Sequence, residues 1–351
     1  MEQAARSAQL YVGIDIAAAT FTAAWLPTGG KPSAPLTRGQ DPAGYAALQE
    51  RLRRTAVSPA DTLVVLEATG SYWVALAVTL HEAGYGVSVI NPLQAHHFAK
   101  AQLRRAKTDN LDAQDLAQLA ATLRPARWTP PPAIFHEVRQ RLLARDALIT
   151  MRQQARNQRH ALLQWPVVIA SVRQHLDAVI ADLDGRIDGL EAEIAAVLTE
   201  SAWAASVGYL TSAPGIGLLT AAWLLVTTLN FTLCTNPAAA TAYAGLAPMP
   251  RESGRSVRGR RSIGHAGNAR LRTALYMATL SAAQHNPLIK PFYNRLVAAG
   301  KLKVVARCAA ARKLLHLAWA LVTKQQHFDP SKQQQQPPVP LADPPATQAA
   351  A

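Results

Sequence analysis

Tyr11-Val12-Gly13-Ile14-Asp15-Ile16 and Leu63-Val64-Val65-Leu66-Glu67 decide the fold. Each is a short apolar run rich in β-branched residues, the composition of a buried strand, and each carries a carboxylate at or near its end. A carboxylate in that position costs free energy unless something compensates its charge. A divalent cation is one such partner.

Working outward, Thr20 to Leu26 reads as a strand returning antiparallel after a tight turn, and Gly29-Gly30-Lys31-Pro32 as a further turn. Asp41-Pro42 caps a helix with Tyr45, Leu48 and Leu52 on one stripe. A helix from Tyr72 to Ala83 ends at Gly84-Tyr85-Gly86, and Val87 to Ile90 is another strand. Helices follow from Pro92 to about Leu103 and from Asp109 to Leu123, the last stopped by Pro125. Alternating strands and helices predict an α/β domain over residues 8–125. Beyond Pro130-Pro131-Pro132 the β character disappears. Residues 133–203 form a helical, coiled-coil-like linker. Its first half carries Arg139, Arg141, Arg145, Arg152, Arg156 and Arg159. Its second half has apolar steps of three and four from Leu176 to Leu198. Trp165-Pro166 separates two long helices, which pair either between subunits or as a hairpin within one. Residues 204–328 read as a mostly helical third domain, with Trp203, Trp223 and Trp319 as core residues. The Gln- and Pro-rich residues 329–351 read as a disordered tail.

The 351 residues carry 36 Lys and Arg against 22 Asp and Glu, a net charge of +14, which points to a polyanionic partner and most readily nucleic acid. Two cysteines, Cys234 and Cys308, exclude a disulfide framework and fit a reducing, cytoplasmic compartment. Residues 1–10 lack the pattern of a signal peptide, and the longest apolar stretch, Leu218 to Val226, falls short of the ~20 residues a bilayer requires. No membrane partner is expected.

Asp109 and Asp112, at spacing i and i+3 on one helix, add two carboxylates to Asp15 and Glu67. Phosphodiester chemistry uses such clusters to hold cations ~3.5–4 Å apart. Oxygen ligands fit Mg²⁺, and neither His96-His97 nor His265 has zinc-ligand spacing. Asp115 is a spare acid one turn on, and Lys107 and Thr108 are placed to contact phosphate. On the residues alone, acids three apart equally describe a solvated helix face.

A second segment combines glycine and arginine: Arg251-Glu252-Ser253-Gly254-Arg255-Ser256-Val257-Arg258-Gly259-Arg260-Arg261, then Gly267-Asn268-Ala269-Arg270-Leu271-Arg272. Backbone N–H groups beside glycine and forked guanidinium groups suit phosphate, which makes Arg251, Gly254, Arg255, Ser256, Arg258, Arg260, Arg261, Asn268, Arg270 and Arg272 candidate nucleic-acid contacts. A serine among such donors is a candidate nucleophile, though Ser-Gly in an Arg-rich loop is also an ordinary turn. Upstream, Ala213-Pro214-Gly215-Ile216-Gly217 is similar to a helix-hairpin-helix turn, whose backbone amides at Gly215 and Gly217 would meet phosphates. An ordinary helix start is the alternative.

In this order, Gly13-Ile14-Asp15, Leu66-Glu67-Ala68-Thr69-Gly70-Ser71-Tyr72, Lys107-Thr108-Asp109-Asn110-Leu111-Asp112-Ala113, Tyr243-Ala244-Gly245-Leu246-Ala247-Pro248 and the Ser253 segment resemble a family of bacterial insertion-sequence transposases, with the Piv-type DNA invertases similar. The resemblance covers residues 10–325. It implies an RNase H-like (RuvC-like) N-terminal nuclease domain in which Asp15, Glu67, Asp109 and Asp112 bind Mg²⁺, and a C-terminal domain whose nucleophile is Ser253, with Ser256 as fallback. It further implies cutting and rejoining of element and target DNA, transient attachment of DNA to serine, a noncoding guide RNA, and a nucleoid-associated dimer or tetramer in which subunits share acids and serine. The Arg-rich first linker helix would suit contact with the RNA backbone. An invertase, a Holliday-junction-type endonuclease using only the acids, and a non-catalytic nucleic-acid scaffold are the competing readings.

Overall fold

Burial along the first strand separates the two faces of a sheet. In β1 (Leu10–Ile16), Leu10, Val12, Ile14 and Ile16 are buried on one side among Leu48, Leu52, Leu76 and Leu80. Tyr11 is buried on the other among Leu116, Leu119 and Ala120. That alternation is the period of two of a pleated strand, here covered on both faces. The computed structural model describes residues 8–68, 70–102, 109–248, 252–253, 257–258, 263–264 and 266–333, with the backbone alone at 109–111, 252–253, 257–258 and 332–333. It divides into two units, Met1–Pro130 and Pro131–Ala351.

In the first unit β1 is followed by β2 (Thr20–Pro27), β3 (Leu36–Gly39), α1 (Pro42–Arg53), β4 (Thr62–Glu67), α2 (Trp73–Glu82), β5 (Gly86–Ile90), α3 (Pro92–Ala101) and α4 (Asp109–Leu123). The sheet order is β3-β2-β1-β4-β5. β2 pairs antiparallel with both β1 and β3, while β1, β4 and β5 run parallel. Leu48 and Leu52 of α1 and Leu76 and Leu80 of α2 cover one face, and α4 covers the other. Burying each such leucine contributes roughly 1.5–3 kcal/mol. Asp41 caps α1 as read, its Oδ1 accepting from the Gly44 N–H at 2.7 Å. β3 is the strand the sequence did not announce. It is a short edge strand with no buried residue, held through β2 and a Thr22–Thr37 hydroxyl contact at 3.0 Å.

The second unit opens with two long helices, α5 (Ala133–Leu162) and α6 (Ala170–Glu200), paired antiparallel within the chain. Between the sequence's two alternatives for this seam, the described chain adopts the hairpin. Arg141–Glu193 at 2.9 Å, Arg145–Glu191 at 2.6 Å, Arg156–Asp184 at 3.2 Å and Arg159–Asp177 at 2.9 Å bridge the helices, with Arg152 also on Asp184. Val138 and Leu142 of α5 and Ile194 and Leu198 of α6 enter one core with the helices that follow. These are α7 (Ala204–Thr211), α8 (Leu218–Thr228), α9 (Pro237–Ala244), α10 (Ala269–His285), α11 (Ile289–Ala298) and α12 (Lys303–Thr323). Trp203 and Trp223 are buried in that core, and Trp319 packs against it while donating to the Cys234 carbonyl at 2.9 Å. Between α9 and α10, β6 (Glu252–Ser253) and β7 (Val257–Arg258) form a two-stranded antiparallel ribbon. α13 (Pro330–Gln333) adds a helical turn where composition argued for disorder, and residues from 334 on lie outside the described residues.

Candidate functional site

The sheet's topology brings the predicted acids to one end. β1 and β4 are parallel and in register at Ile14–Leu66. The next step along both strands sets Asp15 beside Glu67, on neighbouring strands ~4.8 Å apart. By the period of two, both belong to the face that carries Tyr11, Leu63 and Val65, which is the face α4 covers. α4 runs antiparallel to β1. Tyr11, early in the strand, clusters with Leu116, Leu119 and Ala120, whereas Gly13 lies against Ala113 and Ala117. The first turn of α4, with Asp109 and Asp112, therefore sits over the end of β1 that carries Asp15. Two acids in a first turn are also favourable to the helix itself, since they face its positive N-terminal pole.

Gly13 makes this approach possible. A Cβ at residue 13 would lie 2.2 Å from the Ala113 carbonyl oxygen and 2.2 Å from the Ala117 nitrogen. Only a residue without a side chain lets the α4 backbone rest on the strand. The sequence reading counted Gly13 as part of a motif and gave it no task; its position two residues before the strand acid was the available signal.

Asp15, Glu67 and Asp112 are partly buried, and Asp115, one turn further along α4, is buried. The side chain of Asp109 lies outside the described residues, as do Lys107 and Thr108. Among the described residues no group of three or more His, Cys, Asp or Glu side chains is disposed to hold a metal ion. His96 and His97 are exposed and touch each other, 5.8 Å between ring centres.

The serine segment leaves and re-enters the helical core at one point. Gly245 ends α9 in a left-handed conformation, φ 68°, and a Cβ at Gly267 would lie 2.5 Å from the Gly245 nitrogen. The Asn268 N–H donates to the Tyr243 carbonyl at 2.7 Å. Arg272 joins both sides, its Nη1 donating to the Ala244 carbonyl at 3.2 Å and the Ala266 carbonyl at 3.0 Å. Between the two ends in sequence lie the backbone pairs Glu252–Arg258 and Ser253–Val257. Side chains at Ser253 and Arg258, and all of Arg251, Gly254, Arg255, Ser256, Arg260, Arg261 and His265, lie outside the described residues.

Several candidate nucleic-acid contacts have tasks inside the fold. Asn268 caps α10, its Oδ1 accepting from the Leu271 N–H at 3.0 Å. Arg270 pairs with Asp146 of α5 at 2.6 Å and stacks over Trp223 at 5.3 Å. Gly215 accommodates Ala282 of α10, whose Cβ would be 2.5 Å from a Cβ at residue 215. Gly217, the N-cap of α8, is exposed with open space around it. The arginines of α5 also have tasks inside the hairpin. Five of them are paired with acids of α6, and Arg139 lies over the Phe135 ring at 5.7 Å.

Two family models match the chain. Residues 12–165, from β1 into α5, match a transposase family of the DEDD, IS110 type, and residues 207–294 match the transposase IS116/IS110/IS902 family. The chain is 30% identical over 325 residues to the pilin gene-inverting protein of Moraxella lacunata, covering 91% of this chain and 97% of that one. The Moraxella bovis protein of the same name aligns to the same extent. An insertion element IS110 protein of Streptomyces coelicolor is 30% identical over 229 residues, 63% of this chain and 54% of its own length.

The chain belongs to the IS110-type transposase family. Membership makes it a DNA recombinase related to the gene-inverting proteins, with DNA as a partner. An N-terminal α/β unit and a helical C-terminal unit fit that membership. Among the described residues no helix is long and apolar enough to cross a membrane.

Proposed function

We propose that this transposase cuts and rejoins DNA strands with two sets of groups: Asp15, Glu67, Asp109 and Asp112 holding Mg²⁺ in an RNase H-like first unit, and Ser253 as nucleophile. The observation that carries the reading is the meeting of two strand carboxylates and the acidic first turn of α4 at one end of the sheet. Carboxylates on rigid strands and a packed helix are held in place before substrate arrives, which is what positioning a phosphate requires. Bound there, Mg²⁺ would neutralise charge on the scissile phosphate and on the departing oxygen.

The Ser253 hydroxyl oxygen forms a bond to phosphorus as the bond from phosphorus to one deoxyribose oxygen breaks. The serine proton passes through solvent to the oxygen that leaves, and a hydroxyl of the new strand reverses the step, freeing serine. The clamp of Gly245, Gly267 and Arg272 gives the serine ribbon a fixed base. A guide RNA and assembly as a dimer or tetramer complete the reading, and a nucleoid-associated location follows from it. Gene inversion, the activity named in the Moraxella relatives, differs from transposition only in which ends are joined.

The test is recombination in cells supplied with the element's own ends and flanking transcript. Asp109→Asn and Ser253→Ala should each abolish strand joining while retaining nucleic-acid binding. Full activity of Ser253→Ala would leave the acids-only endonuclease, and full activity of Asp109→Asn would remove the metal site.

A further inference from the structure

One stretch accounts for the chain's net positive charge of +14. Residues 253–328 contain 14 Lys and Arg and no Asp or Glu, so the remaining 22 basic residues are matched by the 22 acids of the chain. Part of the stretch is the serine ribbon, but much of it lies on α11 and α12, and α12 falls beyond the family match that ends at residue 294.

On these helices the fold brings like charges together. The Arg295 guanidinium of α11 lies 5.5 Å from the centre of the Phe292 ring, and the Lys313 ammonium of α12 lies 4.8 Å from the same centre. One ring thus holds two cations from different helices. Among the described residues neither cation forms an ion pair with a carboxylate, and the surrounding stretch has none to offer. Arg307 of α12 lies beside Tyr276 and Tyr293, the latter next to Phe292 in α11, and the two tyrosines raise its pKa. Lys301 and Lys303 are exposed at the start of α12. Burial first, and then Arg295, lowers the pKa of Lys313, the sign of a cation that lacks its counter-charge.

A pair of cations held by packing in an acid-free region is preorganised for an anion with spaced negative charges. Phe292 is covered by the two cations and is not an open stacking platform for a base, which favours recognition of phosphate over base. We propose that Arg295 and Lys313, flanked by Arg307, Lys301 and Lys303, form a binding surface for the phosphodiester backbone of nucleic acid, separate from the serine ribbon and indifferent to sequence. The surface adds to the recombinase reading a place where substrate or guide is gripped, and it depends on neither the acids nor Ser253.

The experiment measures equilibrium binding of the full chain to a duplex DNA of arbitrary sequence and to a single-stranded RNA of equal length, across a salt series. Removing two phosphate contacts in R295Q/K313Q should lower the salt slope by about 2 and weaken binding at least tenfold at moderate salt. The arm that shows the loss identifies whether DNA, RNA or both occupy the surface. R295K/K313R, which keeps both charges, should bind as the wild type does, and unchanged circular dichroism excludes unfolding. R186Q, on the surface of α6 and paired with Asp182, is the neutral control. Wild-type affinity and salt slope for R295Q/K313Q in both arms would overturn the proposal, as would loss equally deep in R295K/K313R. Because the readout is binding, failure of the serine mechanism leaves this result untouched.

Discussion

Replacing Gly13 with alanine tests the joint on which the acidic end of the sheet depends. The added Cβ would lie 2.2 Å from backbone atoms of Ala113 and Ala117, whereas ordinary contact begins at 3.4 Å. Both obstacles are main chain of one helix, so no side chain can rotate away, and α4 must move off β1 by about 1.2 Å, the difference between those distances. Overpacking of this kind costs about 1–3 kcal/mol. For a unit of this size that lowers the melting temperature by ~4 °C for each kcal/mol. The chemical effect is larger. Asp109 and Asp112 travel with α4 while Asp15 and Glu67 stay with the sheet, and misplacement by ~1 Å costs on the order of 100-fold in rate. Thermal unfolding and strand joining, the latter measured well below the variant's melting temperature, read the two effects separately. A Gly13→Ala protein that melts with the wild type and joins strands at its rate would refute both the seating of α4 on β1 and the role of that helix in carrying acids.

Gly267→Ala tests the clamp beneath the serine ribbon: its Cβ meets Gly245 main chain at 2.5 Å, so strand joining should fall at least tenfold while duplex binding changes by less than threefold, read in paired recombination and binding assays. His316 supplies a pH prediction. Its Nε2 lies 2.7 Å from the Thr241 hydroxyl, and burial first, then Arg312, lowers its pKa. Above about pH 6.5 the imidazole is neutral in folded and unfolded chains alike, and as pH falls from there the unfolded chain takes up the proton first, so stability declines until the folded pKa is passed. Denaturant titrations between pH 7 and pH 5 should show His316→Gln losing less stability than the wild type; equal losses would exclude His316 as the source.

The residues that revealed most of the fold were those whose pattern is local. β1, β4 and β5 read as apolar runs, and the cap Asp41 stands where its helix begins, whereas Asn268, read as a nucleic-acid contact, turns out to cap α10. β3 escaped because Leu36–Gly39 is an exposed edge with neither alternation nor a buried face. The acids were legible as types and spacings, but the placing of Asp15, Glu67 and the first turn of α4 at one end of the sheet depends on the register Ile14–Leu66 and on the direction of α4, both tertiary facts. The ion pairs of the α5 arginines were hidden for the same reason: Asp177, Asp184, Glu191 and Glu193 come from a helix whose partner the sequence does not specify. The bonds of Arg272 to carbonyls and of Arg270 to Asp146 were likewise invisible in the sequence.

The crossing of Gly245 and Gly267 has an evolutionary corollary. Because the chain departs from the core at Gly245 and comes back beside it at Gly267, the 21 intervening residues form a cassette with adjacent ends, and lengthening such a loop costs little closure entropy. Relatives could vary the middle of that cassette while Leu246 and Ala266 keep its two ends seated, much as a tool bit is changed in a fixed chuck.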